Sequence, residues 1–242
     1  MSELRIIPVR GLPEIRAGDD LAALIAEKTA LVDRDVVVVA QKVVSKEEGR
    51  IVRLEDVEPS DRARDLAAHD DPRKLEVILR EAAEVVRERP PLVIARTRHG
   101  FTCASAGVDA SNAPEHGTLV LLPVDPDASA RRLRERFREL TRADVAVIVS
   151  DSFGRPWRAG TTDVALGAAG MFVLRDLRGT RDRIGYELRS TQIAVADELA
   201  GAAELVMGKA DGVPAVVIRG LDVRGDGSAA ELVIPPDRDL FR

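Results

Sequence analysis

A single cysteine, Cys103, occurs in 242 residues, which rules out an intrachain disulfide and a zinc cluster built on cysteine. The histidines His69, His99 and His116 show no metal-ligand spacing. No apolar run approaches the roughly 18 residues that cross a bilayer. Met1-Ser2-Glu3-Leu4-Arg5 lacks the apolar core and cleavage pattern of a signal peptide. A reducing cytoplasm is therefore the simple expectation, with no membrane partner. A net charge of −5 argues against a broad nucleic-acid surface. It leaves room for small anions wherever local Arg and Lys oppose the global sign. Lysine is scarce, with Lys28, Lys42, Lys46, Lys74 and Lys209 the only ones among 36 basic residues, so a lysine in a loop draws notice. No Gly-Lys-Ser/Thr follows a glycine at P-loop distance. Gly225-x-Gly227-x-x-Ala230 matches the dinucleotide fingerprint only formally, since too little chain follows it to place the ribose-binding acid about 20 residues on. Arg224-Gly225-Asp226 reads as a turn.

What is present is globular: 45% hydrophobic and 32% charged residues, enough for one large domain or two small interlocked ones. Residues 4–8 read as a short strand. Asp19 or Asp20 caps a helix with Leu21, Leu24 and Ile25 on one face. Residues 37–40 form a buried strand continuing into Gln41-Lys42-Val43-Val44-Ser45-Lys46. Ser60 opens a charged helix, and Asp71-Pro72 another, whose apolar stripe is Leu75, Ile78, Leu79, Ala82, Val85 and Val86. Strands follow at 92–95 and 118–122, and an arginine-rich helix at 128–140. The strand at 144–149 ends in Ser150-Asp151-Ser152-Phe153-Gly154-Arg155. A helix at 191–207 turns Val195, Leu199, Ala202, Leu205 and Val206 inward and stops at Gly208. Strands at 214–218 and 231–234 close the chain. The alternation is too irregular for a doubly wound sheet, so the expectation is an α+β fold of mixed sheets with peripheral helices. The stretches 96–117 and 151–170 are rich in Gly, Ala, Ser and Thr, which lets backbone approach a ligand or another chain closely.

Three polar clusters sit at strand or helix ends: Asp109-Ala110-Ser111-Asn112, Asp151-Ser152, and Met207-Gly208-Lys209-Ala210-Asp211-Gly212. Carboxylates and hydroxyls are hard ligands suited to Mg²⁺ or Mn²⁺ bridging phosphate oxygens, and glycine-rich backbone can offer N–H groups to phosphate. On composition alone, the capping of turns is the favoured reading of Asp109 and Asp151.

Six ordered segments carry a resemblance: Pro8-Val9-Arg10-Gly11-Leu12-Pro13-Glu14, Val43-Val44-Ser45-Lys46-Glu47-Glu48-Gly49-Arg50, Ala106-Gly107-Val108-Asp109-Ala110-Ser111-Asn112, Ser150-Asp151-Ser152-Phe153-Gly154-Arg155, Ala196-Asp197-Glu198-Leu199, and Pro214-Ala215-Val216-Val217-Ile218-Arg219-Gly220. The chain resembles the coenzyme F420-0:L-glutamate ligases along essentially its whole length, residues 1–242, as one family unit of one or two structural subdomains. Some bacterial relatives add a C-terminal flavin-reductase-like domain; ending at Phe241-Arg242, this chain resembles the ligase portion alone. The resemblance implies a family-specific ligase fold in an intertwined homodimer. It also implies GTP as co-substrate, Mg²⁺ or Mn²⁺, activation by K⁺, and L-glutamate and F420-0 as substrates. It assigns Gly11, Leu12, Pro13, Glu14, Gln41, Lys42, Lys46 and Asn112 to the GTP site, with Met207, Gly208, Lys209, Ala210, Asp211 and Gly212 closing over the nucleotide. Asp109 and Asp151 would hold one metal, and Ser152 would help hold a second. Archaeal-type members carry Glu where this chain has Lys209, in a loop one residue longer.

The implied reaction is amide formation between glutamate and the lactyl carboxylate of F420-0 through an acyl phosphate, with one glutamate or further γ-linked ones added. The acceptor is F420-0 or its dehydro precursor. Arg155, Arg158 and Arg175 are candidates for binding substrate carboxylates or the phosphodiester. His99 either deprotonates the glutamate amine or makes a structural hydrogen bond; with Arg155 it is the catalytic candidate. Cys103 and Trp157 read as packing residues and 131–138 as a solvated helix face. Two rivals stand beside this: a ligase of the same fold acting on another acid, and a non-catalytic nucleotide-binding subunit. Retention of Asp109, Asp151, Ser152, Lys46 and Asn112 together argues against the second.

Overall fold

Four consecutive valines, Val36 to Val39, are completely buried, which requires both faces of the strand they form to be covered. The computed structural model, which describes residues 3–240, shows how. Its strands in chain order are β1 (Arg5–Pro8), β2 (Val36–Ala40), β3 (Ile51–Arg53), β4 (Ala82–Arg89), β5 (Leu92–Thr97), β6 (Thr102–Ala104), β7 (Thr118–Val120), β8 (Ala146–Arg155), β9 (Arg158–Ala169), β10 (Leu174–Asp176), β11 (Gln192–Ala194) and β12 (Ala215–Arg219). Its helices are α1 (Leu21–Lys28), α2 (Gln41–Glu47), α3 (Asp61–Ala67), α4 (Pro72–Glu81), α5 (Pro126–Thr141) and α6 (Val195–Met207). The readings that touch Met1, Ser2, Phe241 and Arg242 lie outside the described residues.

The main sheet has the order β1-β12-β2-β8-β9. Only β2 and β8 run parallel; the other neighbours are antiparallel. The two-residue period of a strand sorts its side chains. Val37, Val39, Val147 and Val149 face a core shared with Leu21, Ile25, Leu133 and Phe137 of α1 and α5. Val36, Val38, Ala146 and Ile148 face Leu199, Ala200 and Ala203 of α6. Helix α5 lies tight against β9 because Gly167 carries no side chain; a Cβ there would stand 2.0 Å from the Pro126 carbonyl oxygen. Asp127, in the first turn of α5, accepts from the backbone N–H groups of Ala168 (2.8 Å) and Ala229 (2.9 Å) and from the Ser228 hydroxyl (2.8 Å). One carboxylate thus holds a helix, a strand and the C-terminal segment together.

A third core lies in residues 57–121, where Leu75, Val77 and Ile78 of α4 pack with Val93 and Ala95 of β5 and with Leu119 and Leu121. This lobe holds the β4-β5-β6 sheet and the β3-β7 pair.

The α+β reading and its mixed sheets stand, and three caps fall on the expected residues. Asp20, Ser60 and Asp71 accept from the N–H groups of Ala23, Ala63 and Arg73, each such cap contributing about 1 kcal/mol. Several boundaries differ. Gln41 to Lys46 are helical, with Gln41, Val44 and Ser45 on the buried side. The chain after Glu81 is strand, so Ala82, Val85 and Val86 belong to β4 rather than to the helix stripe; a partner strand beyond the Pro90-Pro91 turn outcompetes helical continuation for these β-branched residues. Strand β8 runs through Ser150 to Arg155 and returns as β9, a hairpin where a loop was expected. Residues 229–232 form a 3₁₀ turn, not a strand, because Ser228 and Glu231 make a reciprocal capping box. Leu205 is 86% exposed, and Ala203 and Met207 take the inward positions. Trp157, at the hairpin turn, is 82% exposed and lies outside the core, whereas Cys103 is buried. The arginine face of α5 is ion-paired rather than simply solvated: Arg132 binds Glu47 (2.7 Å) and Glu48 (2.9 Å), Arg134 binds Asp144 and Arg136 binds Asp20.

Candidate active site

The parallel strands β2 and β8 both reach the same end of the main sheet, and a cleft of about 320 Å³ opens there. Ala40 ends β2 and the chain turns at once into α2, whose Lys42 and Lys46, four residues apart, share one face and line the cleft. The rest of the Ser45-Lys46-Glu47-Glu48 motif fixes that helix. Glu47 accepts from the Leu21 N–H (3.1 Å) and from Arg132, while Glu48 accepts from Ser129 (2.6 Å) and Arg132. The buried amide of Gln41 donates to Ser45 (2.6 Å) and to the Leu121 carbonyl (2.8 Å), which ties α2 to the lobe.

From one side, the loop with Leu12, Pro13 and Glu14 closes the cleft, and Lys46 forms an ion pair with Glu14. Across it, the lobe presents Asp109, Ser111 and Asn112. Lys42 Nζ lies 2.7 Å from Asp109 Oδ2 and 3.1 Å from Ser111 Oγ. Ser111 also donates to Asp109 through its N–H (2.7 Å) and its hydroxyl (2.8 Å). Burial works to raise the Asp109 carboxyl, but Lys42 and Ser111 outweigh it and hold the group below its usual range.

The floor comes from β8 and β9. Ser150 donates to Asp163 Oδ2 (2.8 Å), and Glu204 of α6 accepts the Asp163 N–H (2.9 Å). Burial pushes Asp151 up to about 6, against the pull of Lys42, with Asp163 and Asp109 adding repulsion. Asp163 is likewise lifted to about 6, first by burial and then by Glu204, against Ser150, Lys209 and Lys42. Both carboxyls are raised because burial disfavours their charged form more than the nearby lysines favour it. Finally, α6 ends at Gly208, in a backbone conformation with φ +55°, and the loop to Gly212 covers the cleft. A Cβ on Gly208 would stand 2.2 Å from Asp211 Oδ2.

The structure therefore brings Leu12, Pro13, Glu14, Gln41, Lys42, Lys46, Asn112, Asp151, Ser152, Met207, Gly208, Lys209, Ala210 and Gly212 to one cleft wall. Gly11, Asp109 and Asp211 lie beside it, Asp109 joined through Lys42 and Asp211 folded over Gly208. The Asn112 amide donates to the Lys209 carbonyl (3.5 Å), linking lobe and loop. His99 is elsewhere: its Nε2 donates to the Pro123 (2.9 Å) and Val124 (3.0 Å) carbonyls, and its ring stacks on Phe101. Arg155 binds the Ala159 carbonyl within its own hairpin, and Arg175 lies over the Phe172 ring. Sequence reading missed Asp163 and Glu204. The available signal was the alternation Thr161-Thr162-Asp163-Val164-Ala165, which puts an acid on a buried strand position.

The donors gathered here are oxygens, which suit a hard divalent cation. Among the described residues no group of three or more His, Cys, Asp or Glu has a metal-binding arrangement, so such a cation would take part of its coordination from water or phosphate. The glycines of the rejected fingerprint have a packing reason instead: a Cβ on Gly225 would meet the Phe172 nitrogen at 2.6 Å.

Residues 11–220 match the family model of the F420-0:Gamma-glutamyl ligases. The coenzyme F420:L-glutamate ligase of Methanopyrus kandleri is 51% identical over 247 residues, covering 99% of this chain and 98% of its own. The enzymes of that name from Methanothermobacter thermautotrophicus and Methanocaldococcus jannaschii are 45% and 41% identical, again over 99% or more of each chain. Likeness of this degree along the full length, with lobe, sheet and α6 loop meeting at one cleft, makes the chain a member of the F420-0:gamma-glutamyl ligase family.

Proposed function

We propose that this protein joins L-glutamate to the lactyl carboxylate of F420-0 at the expense of GTP. What carries the reading is the convergence of Lys42, Lys46 and Lys209 with Asp151 and Asp163 on one cleft, in a chain whose relatives are named coenzyme F420:L-glutamate ligases. A carboxylate does not form an amide directly, because oxide is not a leaving group. Transfer of the γ-phosphoryl group to a carboxylate oxygen gives an acyl phosphate and GDP. The glutamate amine then attacks the acyl carbon; the C–N bond forms, the C–O bond to phosphate breaks, and phosphate and a proton leave.

Protein work in such a transfer is mostly positioning and charge neutralisation. Lys42 and Lys46 reach the cleft from a helix locked by Glu47 and Glu48, so both side chains start from a fixed base. Lys209 comes from the loop that covers the cleft and adds charge to the phosphates as that loop closes. Asp109, Asp151 and Ser152 would hold Mg²⁺ or Mn²⁺, whose contribution when bound is Lewis-acid neutralisation of the β- and γ-phosphate oxygens. Ser150, Asp163 and Glu204 keep the floor in register beneath Asp151. K⁺ is part of the same proposal, as an activator.

Incubation with GTP, Mn²⁺, glutamate and F420-0, followed by mass spectrometry, tests this. The expected product is F420-0 carrying at least one glutamyl residue, formed with GTP and not with ATP. No glutamylated product, or equal yields with ATP, would overturn the activity or its nucleotide specificity respectively.

A further inference from the structure

Resting on the GTP and metal assignments just made, we propose that Lys42 occupies the cation position at Asp109 in the nucleotide-free protein. The divalent metal then binds only after phosphates have drawn the ammonium away. GTP binding would precede, and enable, metal binding.

The geometry is specific. Asp109 Oδ1 accepts the Ser111 N–H, and Oδ2 accepts both the Ser111 hydroxyl and Lys42 Nζ at 2.7 Å. With those three donors in place, the carboxylate offers a metal little room. A divalent cation at its usual oxygen distance of about 2.0–2.1 Å for Mg²⁺ would displace the ammonium from Oδ2. Lys42 also lies within electrostatic reach of Asp151 and Asp163 and pulls against the burial that raises both, so its charge acts on all three carboxylates. Its neighbour Lys46 is engaged by Glu14 and stands apart from this set.

Leaving Asp109 needs only a side-chain swing, because α2 itself is fixed by Glu47 and Glu48. The swing has a destination, since Lys42 lines the cleft. A triphosphate there offers the ammonium new oxygens and leaves Asp109 free for a metal that the same phosphates also ligate. Phosphate and metal therefore act on Lys42 in the same direction.

Mn²⁺ titration of the purified protein, with free Mn²⁺ followed by electron paramagnetic resonance, tests this with and without a non-hydrolysable β,γ-imido analogue of GTP. In the wild type the analogue should tighten Mn²⁺ binding strongly. Lys42→Met should bind Mn²⁺ at least tenfold more tightly than wild type without nucleotide, and the analogue should tighten its binding by a smaller factor than it does for the wild type. Lys42→Arg, which keeps the charge, should behave as wild type without nucleotide and confirms that the position tolerates change. If Lys42→Met binds Mn²⁺ no more tightly than wild type while Asp109→Asn abolishes binding with the analogue, Asp109 is a ligand and the stand-in role of Lys42 is wrong. If Asp109→Asn leaves Mn²⁺ binding with the analogue unchanged, the metal assignment itself falls, and this inference with it.

Discussion

The hydroxyl of Ser150 donates to Asp163 across the β8–β9 hairpin at 2.8 Å, and both side chains are buried beneath the cleft. The Asp163 N–H in turn is held by Glu204, three residues before the end of α6. Strand, strand and helix are thereby joined under the loop that covers the cleft.

Replacing Asp163 breaks that join at its centre. Asp163→Ala leaves the Ser150 hydroxyl buried without an acceptor, which costs about 1–3 kcal/mol, and should lower kcat at least tenfold. Asp163→Asn keeps an acceptor for Ser150 and should recover most of the stability. Melting temperature and kcat measured side by side decide the matter; wild-type turnover in the alanine variant would remove Asp163 from the working site.

The pH dependence has a definite sign. Asp151 and Asp163 have carboxyls raised from 3.8 to about 6, mainly by burial. Between those values the folded protein binds more protons than the unfolded chain, so the contribution of these groups to stability falls as pH rises from about 4 to about 6. Asp151→Asn removes one of them. In metal-free, nucleotide-free protein it should match wild type below pH 4 and exceed it at pH 7 by about 1–3 kcal/mol. Melting curves across this range that never diverge would contradict the burial of that carboxylate.

Two glycine substitutions should separate folding from nucleotide binding. Gly167→Ala drives a Cβ into the backbone of Pro126 at 2.0 Å, forcing α5 off β9. A loss of about 3 kcal/mol or more is expected for such overpacking, visible as a fall of several degrees in Tm. Gly208→Ala meets Asp211 and a left-handed backbone in the covering loop instead. It should change the ligand-free Tm little while abolishing most of the stabilisation by GTP and metal. Equal Tm losses in the two variants would show that the loop is part of the folding core.

Light scattering at micromolar concentration should give twice the chain mass. The expectation rests on the resemblance and on exposed apolar surface: Trp157 and Leu205 are 82% and 86% exposed. Trp157→Asp should shift the population toward monomer. A wild-type monomer would contradict the dimer.

Much of the fold was legible because its signals are local. Asp20, Ser60 and Asp71 cap the helices they precede, and the apolar run at 37–40 reads directly as a buried strand. The failures share a cause in long-range pairing. Val85 and Val86 fit a helical stripe as well as a strand, and only the pairing with β5 decides. The small-residue stretch 151–170 looks like a ligand-approach segment because its only strand signal is the short alternation around Asp163; β8 and β9 give each other their structure. The candidate cleft was legible where the resemblance assigned its lining, as with Lys42, Lys46, Asp151 and the Met207-Gly208 loop. Asp163 and Glu204 belong to no quoted segment and enter only through the hairpin and the α6 packing. Asp127 stands next to the helix read at 128–140, and its hold on Ala168 and Ala229 depends on residues 41 and 102 positions away.

The β8–β9 ribbon begins in the completely buried core at Val149 and ends at the exposed turn beside Trp157. Asp151 and Asp163 sit near its root, on strands bonded to each other, so they move as one stiff piece rather than as two independent side chains. Torque applied at the tip is therefore delivered to both carboxylates in common.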